Sequence, residues 1–503
     1  MLKNILVQLH ENSSRPAFFI DSKYYSYGEL GQKIAAIQAL IGSHCNTVNQ
    51  IVAVVANADI ETYATILAII FSGHGYLPLN PQNPIDRNAL ILRQADVEIL
   101  FSSKENSIPN LESSLPHLKV LRTTELPISS AVVYQKAVPD STHAYLLFTS
   151  GSTGIPKGVP ISRKNLDAFL VSFFEIVELR TDDRVLQMFD LTFDFSVMSL
   201  FAPLVAGACV YPAATDELRF MSVYRLLEEQ EITCAPMVPS MLTFLRPYFK
   251  DIVLNKLKCS LFCGEPLLAQ VAEEWSACSP DMRIINFYGP TEATVFCSAY
   301  EWSPQQQKSV NGILSIGKAM LNAEMLVLDE HGVVLPANQS GELCLAGDQL
   351  TNGYWQDQKK NQESFFDLPH GGSVVRFYRT GDIAQVDEEG DFMYLGRLDQ
   401  QVKVQGFRIE LAEIEHHARA CSGSNQMVAV THTNKNNVIE IVLCLGDYSG
   451  ESKALLDLLR VKLPPYMLPS RMVNFAELPL NKNGKVDRPM LRLLVANQLL
   501  APD

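Results

Sequence analysis

The chain holds 503 residues, too many for one hydrophobic core at the roughly 150 residues typical of a domain, so several packed units are expected. Apolar residues supply 47% and charged residues 19%, a balance that folds and excludes a disordered chain. The formal net charge of -14 argues against nucleic-acid binding, which needs a basic face, and favours a protein that handles small molecules.

From the N-terminus, MLKNILVQLHENSSRPAFF is a short apolar run broken by Gln8, His10 and Glu11, with no small-residue cleavage site, so no export signal is expected. The most apolar stretch, Tyr63 to Leu79, is interrupted at Ser72, Gly73, His74 and Gly75 and reads as a buried helix entering a turn, not a membrane span. Up to about residue 300, short apolar runs alternate with helical patterns: IVAVVAN then ETYATILAII, RVLQMFDL then SVMSLFAPLVAG, CSLFCGE then LLAQVAEEW. Such alternation predicts parallel sheets covered by helices. From about 310 to 396, AEMLVLDEHG, GELCLAG and DFMYLGR predict a small antiparallel barrel or sheet. A charged junction near Asp399 then leads into a small α+β unit. The ten cysteines form no CxxC pair and read as reduced thiols of a cytoplasmic protein.

LFTSGSTGIPKGV (147–159) runs from a strand into hydroxyls and glycines. Glycine lets backbone N–H groups approach a ligand, and Thr149, Ser150, Ser152 and Thr153 add hydroxyls around Gly151 and Gly154, a set that can cradle phosphate oxygens with Lys157 nearby. It is not a P-loop, because Gly158 stands where that motif needs Ser or Thr; Pro156 before the lysine points to a hairpin, not a helix.

Six further strings follow in order: FDFSVMSLF (193–201), NFYGPTEAT (286–294), GELCLAG (341–347), YRTGD (378–382), GRLDQQVKVQGFRIELAEIE (396–415) and LPLNKNGKVDR (478–488). Together with the loop they cover most of the chain and resemble the adenylate-forming superfamily: acyl-CoA synthetases, luciferases and peptide-synthetase adenylation domains. The resemblance implies an α/β plus α+β fold, with a large N-terminal domain (1–398) containing two parallel-type sheets and a β-barrel-like part, and a small mobile C-terminal domain (399–503) turning about Asp399. It implies an enzyme that joins a carboxylate to the α-phosphorus of ATP, releasing pyrophosphate, with Mg²⁺ held by Glu292.

In that resemblance the ATP site comprises the 149–154 loop with Lys157, then Gly264, Glu265, Asn286, Phe287, Tyr288 against adenine, Gly289, Thr291 at the α-phosphate, Asp382 on the ribose hydroxyls, and Arg397. Lys485, placed by NKNGKVDR at a turn, is the expected catalytic cation, aimed at developing negative charge. Asp194 matches the aspartate that pairs with an amino acid's α-ammonium; by itself it also reads as a helix N-cap. Phe195, Met198, Leu261, Cys263, Phe287, Val295 and Phe296 are the implied pocket, small enough to favour a small side chain. SLFCGEPL, GRLDQQVK and EIEHHARAC are similar to D-alanine:carrier-protein ligases, so D-alanine is the expected substrate. Phe287 and Phe296 depart from that pattern and leave glycine, L-alanine and L-proline open.

Fifteen residues follow Arg488, too few for a carrier domain, so a separate phosphopantetheinylated carrier protein is the expected acceptor. HGGS (370–373) reads as a loop, and His416 with His417 as a surface helix, since adjacent helical residues point about 100° apart and do not chelate together. A CoA ligase would share the adenylate but needs no Asp194. A non-catalytic nucleotide-binding protein would not need Glu292, Asp382 and Lys485 together.

Overall fold

The computed structural model describes residues 1–45, 47–105, 107–109, 111–124, 126–151, 153–214, 218–446, 448–481 and 486–500. The βα alternation builds two large sheets. One has six strands in the order Lys119–Arg122, Ile99–Ser102, Ile51–Val55, Gly75–Leu79, His143–Thr149, Lys157–Ser162, parallel except for the last pair. Ile51–Val55 is buried along its whole length, as expected for a parallel strand covered on both faces. The helix Ile60–Phe71 leaves only Glu61 outside the buried set. Asp59 opens it by accepting the Thr62 N–H at 2.9 Å.

The other large sheet has nine strands. Its centre runs Arg283–Tyr288, Cys259–Phe262, Cys234–Met237, Arg184–Gln187, Cys209–Pro212, Pro16–Ile20, all parallel neighbours. Antiparallel strands close both flanks. The carboxyl ends of its central strands feed three loops: Cys263–Glu265, Gly289–Glu292, and the run from Met188 to Asp194 that opens the helix Phe195–Ala206. Ligands of open α/β sheets bind outside such carboxyl ends. The phosphate-type loop leaves the carboxyl end of His143–Thr149 and returns as Lys157–Ser162, with Thr149 opposite Lys157, so it is the hairpin expected.

The expected barrel is an open antiparallel sheet of five strands. The 14-residue strand Ser373–Val386 pairs along one edge with Ser340–Gly347. Its other edge is divided between Phe365–His370 and Phe392–Arg397. Ala323–Leu328 pairs within the sheet only with Ser340–Gly347, so the order does not close. Ser309–Val310 and Ile313–Leu314 make a separate hairpin. HGGS is the turn between Phe365–His370 and Ser373–Val386, with Gly371 and Gly372 at φ 57 and 82.

Beyond residue 400, the hairpin Gln401–Val404/Phe407–Glu410 leads into the helix Leu411–Ser422 and a three-stranded sheet of Met427–Thr433, Ile439–Gly446 and Arg471–Phe475, covered by its own apolar cluster. Among the described residues, no helix is long and apolar enough to cross a membrane. All ten cysteines are free thiols.

Candidate active site

The loop after Thr149 is tight for a backbone reason. A Cβ on Gly151 would stand 2.0 Å from the Ile155 carbonyl oxygen, and Gly154 sits at φ +79, where a side chain is strained. Ser152 lies outside the described residues. The Gly151 N–H donates to Glu413 Oε2 at 3.3 Å, and Ser150 Oγ donates to the Arg408 carbonyl at 2.9 Å. Lys157 Nζ faces Glu410 Oε1 at 3.5 Å. Burial, with Arg408 nearby, lowers the Lys157 pKa despite Glu410 and Glu292. Thr149 Oγ1 is buried without a hydrogen-bond partner.

Across the cleft, Gly289 lets the backbone of NFYGPTEAT fold back, since a Cβ there would meet Phe296 Cα at 2.3 Å. Glu292, fully buried, accepts from Tyr354 Oη at 2.6 Å and pairs with Arg408 Nη1 at 2.8 Å. Burial works to raise its carboxyl, but Arg408, the Tyr354 hydroxyl and Lys157 together hold it down at about 2. Glu292 is therefore ionised, with one oxygen on Tyr354 and the other on Arg408. Among the described residues no three His, Cys, Asp or Glu side chains cluster to hold a metal. A Mg²⁺ whose coordination is completed by nucleotide phosphates and water needs only one or two carboxylates, so Glu292 beside the phosphate-type loop fits.

The expected nucleoside wall gathers around a cavity of about 320 Å³ lined by Gly264, Glu265, Asn286, Phe287, Tyr288, Arg397 and Asp399. Asn286 Oδ1 there is buried and unpartnered. Tyr288 Oη donates to Asp382 Oδ2 at 2.5 Å, and Arg397 Nη1 donates to Asp382 Oδ1 at 2.6 Å. Arg397 also forks onto Asp399 with two bonds of 2.7 Å, so the charged junction is one connected network. Glu265 accepts the backbone N–H groups of Ser240 and Gly406, both at 2.8 Å.

Asp194, Phe195, Cys263, Thr291 and Val295 line a second cavity of about 80 Å³. Asp194 occupies the N-cap position but makes no capping hydrogen bond. Burial pushes its carboxyl up to about 6, opposed by a hydrogen bond with Thr291. Phe287 and Phe296 stack with centroids 4.1 Å apart, and Phe195 meets Phe296 edge-on at 5.9 Å. Burial pushes the Cys263 thiol up to about 12, so it is a small neutral wall. Met198, Leu261 and Phe296, all fully buried, belong to the surrounding core and do not line this cavity, and Phe287 lines only the first one. Lys485 lies outside the described residues.

Three further side chains join the site, two of them from the 396–415 motif without a role having been assigned to either residue. Lys403 lines both cavities, Arg408 meets Glu292, and Tyr354 donates to Glu292. The first two sit in QVKVQGFR, where Val402 and Val404 flank Lys403 in a strand period; Tyr354 gives no sequence signal. His416 and His417 do not chelate, their rings lying 5.3 Å apart at 81°. His416 is nevertheless more than a surface residue, since a Cβ on Gly154 would stand 2.9 Å from its ring.

A buried carboxylate beside a phosphate-type loop, at the carboxyl ends of a parallel sheet, defines a nucleotide-handling α/β enzyme. The profile of the AMP-binding enzyme family matches residues 7–355, and the chain belongs to that family of AMP-forming adenylating ligases. It is 32% identical over 96% of its length to tyrocidine synthase 1 of Brevibacillus parabrevis, spanning 44% of that protein. It spans 7% of tyrocidine synthase 3 from the same organism, at 28% identity. The D-alanine–D-alanyl carrier protein ligase of Bacillus mycoides (strain KBAB4) is 30% identical, with 96% of each chain covered. Among solved structures, the Vibrio cholerae adenylation domain AlmE in complex with glycyl-adenosine-5'-phosphate superimposes with a TM-score of 0.86 at 26% identity, covering 99% of this chain and 97% of that one.

Proposed function

We propose that the chain activates a small amino acid with ATP as an aminoacyl-adenylate, releasing pyrophosphate, and passes it to the phosphopantetheine thiol of a separate carrier protein. The observation that carries this reading is Asp194: a buried carboxylate lining a small cavity beside Phe195, Cys263 and Val295, with no salt bridge to any described residue. An α-ammonium supplies the missing partner. The carboxylate of the same substrate then faces Thr291, next to Glu292, which would hold Mg²⁺ together with the nucleotide phosphates; when bound, that ion supplies charge neutralisation at the phosphates. Asp382 and Arg397 would position the ribose, and the 149–154 loop with Lys157 the β- and γ-phosphates.

The cavity holds only about 80 Å³, and Phe195 in its wall is backed edge-on by Phe296, which favours glycine or alanine over larger side chains. D-alanine is supported by the similarity to the carrier-protein ligase, and glycine by the adenylate in the AlmE structure. An ATP–pyrophosphate exchange panel over D- and L-amino acids tests the reading, followed by transfer of labelled amino acid to CoA or to a phosphopantetheinylated carrier. No exchange with any amino acid removes it; transfer to CoA alone moves the chain to the CoA ligases. Asp194 disfavours that second reading, because fatty and aromatic acids bring no ammonium.

Three results follow. Phe296→Ala removes the ring behind Phe195, should let that wall retreat and shift exchange towards larger side chains, with a stability cost of about 3–5 kcal/mol for emptying an aromatic site, read by denaturant unfolding. The acid limb of kcat/KM for the amino acid should turn near pH 6, where Asp194 protonates, and fall about tenfold per pH unit below it, because only the ionised carboxylate pairs with the ammonium. Residues 1–398 and 399–503 act as two units turning about Asp399, Lys485 serving adenylation and QVKVQGFR the transfer step. Lys485→Ala should therefore keep ATP binding while suppressing pyrophosphate exchange, and unchanged exchange would take Lys485 out of the mechanism.

A further inference from the structure

The nine-stranded sheet feeds the two cavities from the carboxyl ends of its strands, and its amino ends hold a pair of thiols that the adenylation chemistry does not use. Cys234 opens the strand Cys234–Met237 and Cys259 opens Cys259–Phe262; the strands are parallel neighbours and the two cysteines are register partners. Register partners on adjacent strands point to one face of a sheet, and both side chains enter the same apolar cluster. Neighbouring strands run about 4.8 Å apart, inside the roughly 4.4–6.8 Å between Cα atoms that a disulfide spans. The thiols already act on each other: a hydrogen bond with Cys259, and then burial, raise the Cys234 thiol well above its ordinary range.

The row continues from Cys259 to Arg283, its register partner on the other side, and Lys258 stands next to the pair with its Nζ on Asp183 at 2.7 Å. Cations beside a thiol favour the negative charge that sulfur carries when it attacks. Lys258 has 52% of its side chain open to solvent, so Cys259 is one residue from water, whereas Cys234 is fully buried. We propose that Cys234 and Cys259 form an oxidisable dithiol, which a peroxide converts to a disulfide that ties two central strands together at the end of the sheet away from the cavities. Cys259 sulfur, as thiolate, attacks one oxygen of hydrogen peroxide; the O–O bond breaks and hydroxide leaves, taking up a proton to become water and leaving a sulfenic acid. Cys234 sulfur then attacks the Cys259 sulfur, the S–O bond breaks, and the hydroxyl leaves as water with the Cys234 proton. Two thiols are oxidised and one peroxide is reduced to two waters. The tie joins the strands that carry Val238 and Cys263 to the smaller cavity.

Graded hydrogen peroxide on the folded full chain tests this, with remaining thiols alkylated and a non-reducing digest read by mass spectrometry. A peptide pair joined through Cys234 and Cys259 should be the first disulfide to form. The melting temperature should rise by several degrees with it and return on reduction with dithiothreitol, because the bond closes a loop that includes the helix Pro239–Leu245. Cys234→Ala should keep pyrophosphate exchange before oxidation, lose the melting shift, and leave Cys259 as a sulfenic acid that dimedone traps. Should that variant fail to fold, the peptide map and the reversible melting shift of the unaltered chain carry the test. Oxidation of the half-buried Cys45 and Cys421 with Cys234 and Cys259 left reduced overturns the proposal. So does a first disulfide between Cys263 and Cys297, buried thiols that also act on each other, or a melting shift that survives in Cys234→Ala. Each of these results leaves the adenylation reading intact, since the dithiol does not depend on it.

Discussion

Asp194→Asn is expected to reduce kcat/KM for the amino acid by roughly 10²–10³-fold while raising the melting temperature. Both directions follow from one environment. The carboxylate is buried and lines a small cavity, and removing one partner of a desolvated charge pair costs 2–5 kcal/mol or more in binding, about 1.4 kcal/mol per factor of ten. In the free protein the same charge is a liability. Burial raises its pKa from 3.8 to about 6, so the folded chain binds this proton more tightly than the unfolded chain does. Stability from this group therefore falls as pH rises from about 4 to 6, and asparagine removes the penalty above that window. A purely capping Asp194 would show the reverse, a loss of stability with activity retained, and it makes no capping bond. Exchange assays, a melt at pH 7 and loss of the acid limb near pH 6 separate the two roles.

Glu292→Gln is expected to lower pyrophosphate exchange by roughly 10²–10³-fold, as for removal of one preorganised electrostatic group, and to raise the Mg²⁺ concentration needed for half-maximal rate. It also strands Arg408. With Glu292 held at about 2, the pair is intact above the ordinary carboxylate range near 4.5 and is lost only as pH falls towards 2. Breaking such a buried pair from one side costs about 3–5 kcal/mol, and the loss should fall on the seam between 401–410 and the loop. Unchanged exchange and unchanged Mg²⁺ dependence would leave Glu292 a purely structural acid.

Much of the fold is legible in the sequence because its signals are local. Ile51–Val55 and Ile60–Phe71 declare themselves by period and apolar density, and Pro156 before Lys157 announces a hairpin. The open sheet over 323–397 resembles a barrel in sequence because turn spacing reports strands and not closure. Whether a sheet closes depends on how strand edges are shared, and here Ser373–Val386 divides one edge between two partners. Ordered motifs mark the site region, yet Tyr354 stays invisible because a tyrosine's role is decided by the acid it reaches.

The chain's own chemistry thus determined the parts: a glycine-rich turn that only small residues can make, an ionisable side chain entering an apolar helix at Asp194, and a run from Lys403 to Glu413 in which two bases are followed by two acids. Tertiary structure alone decided what those charges face. Glu413 reaches Gly151 across 262 positions and Arg408 reaches Glu292 across 116, distances over which sequence spacing carries no information about contact. Whether a charge is stabilised, silent or strained depends on the partner brought within a few ångströms and on the water excluded there, and both are properties of the packed chain.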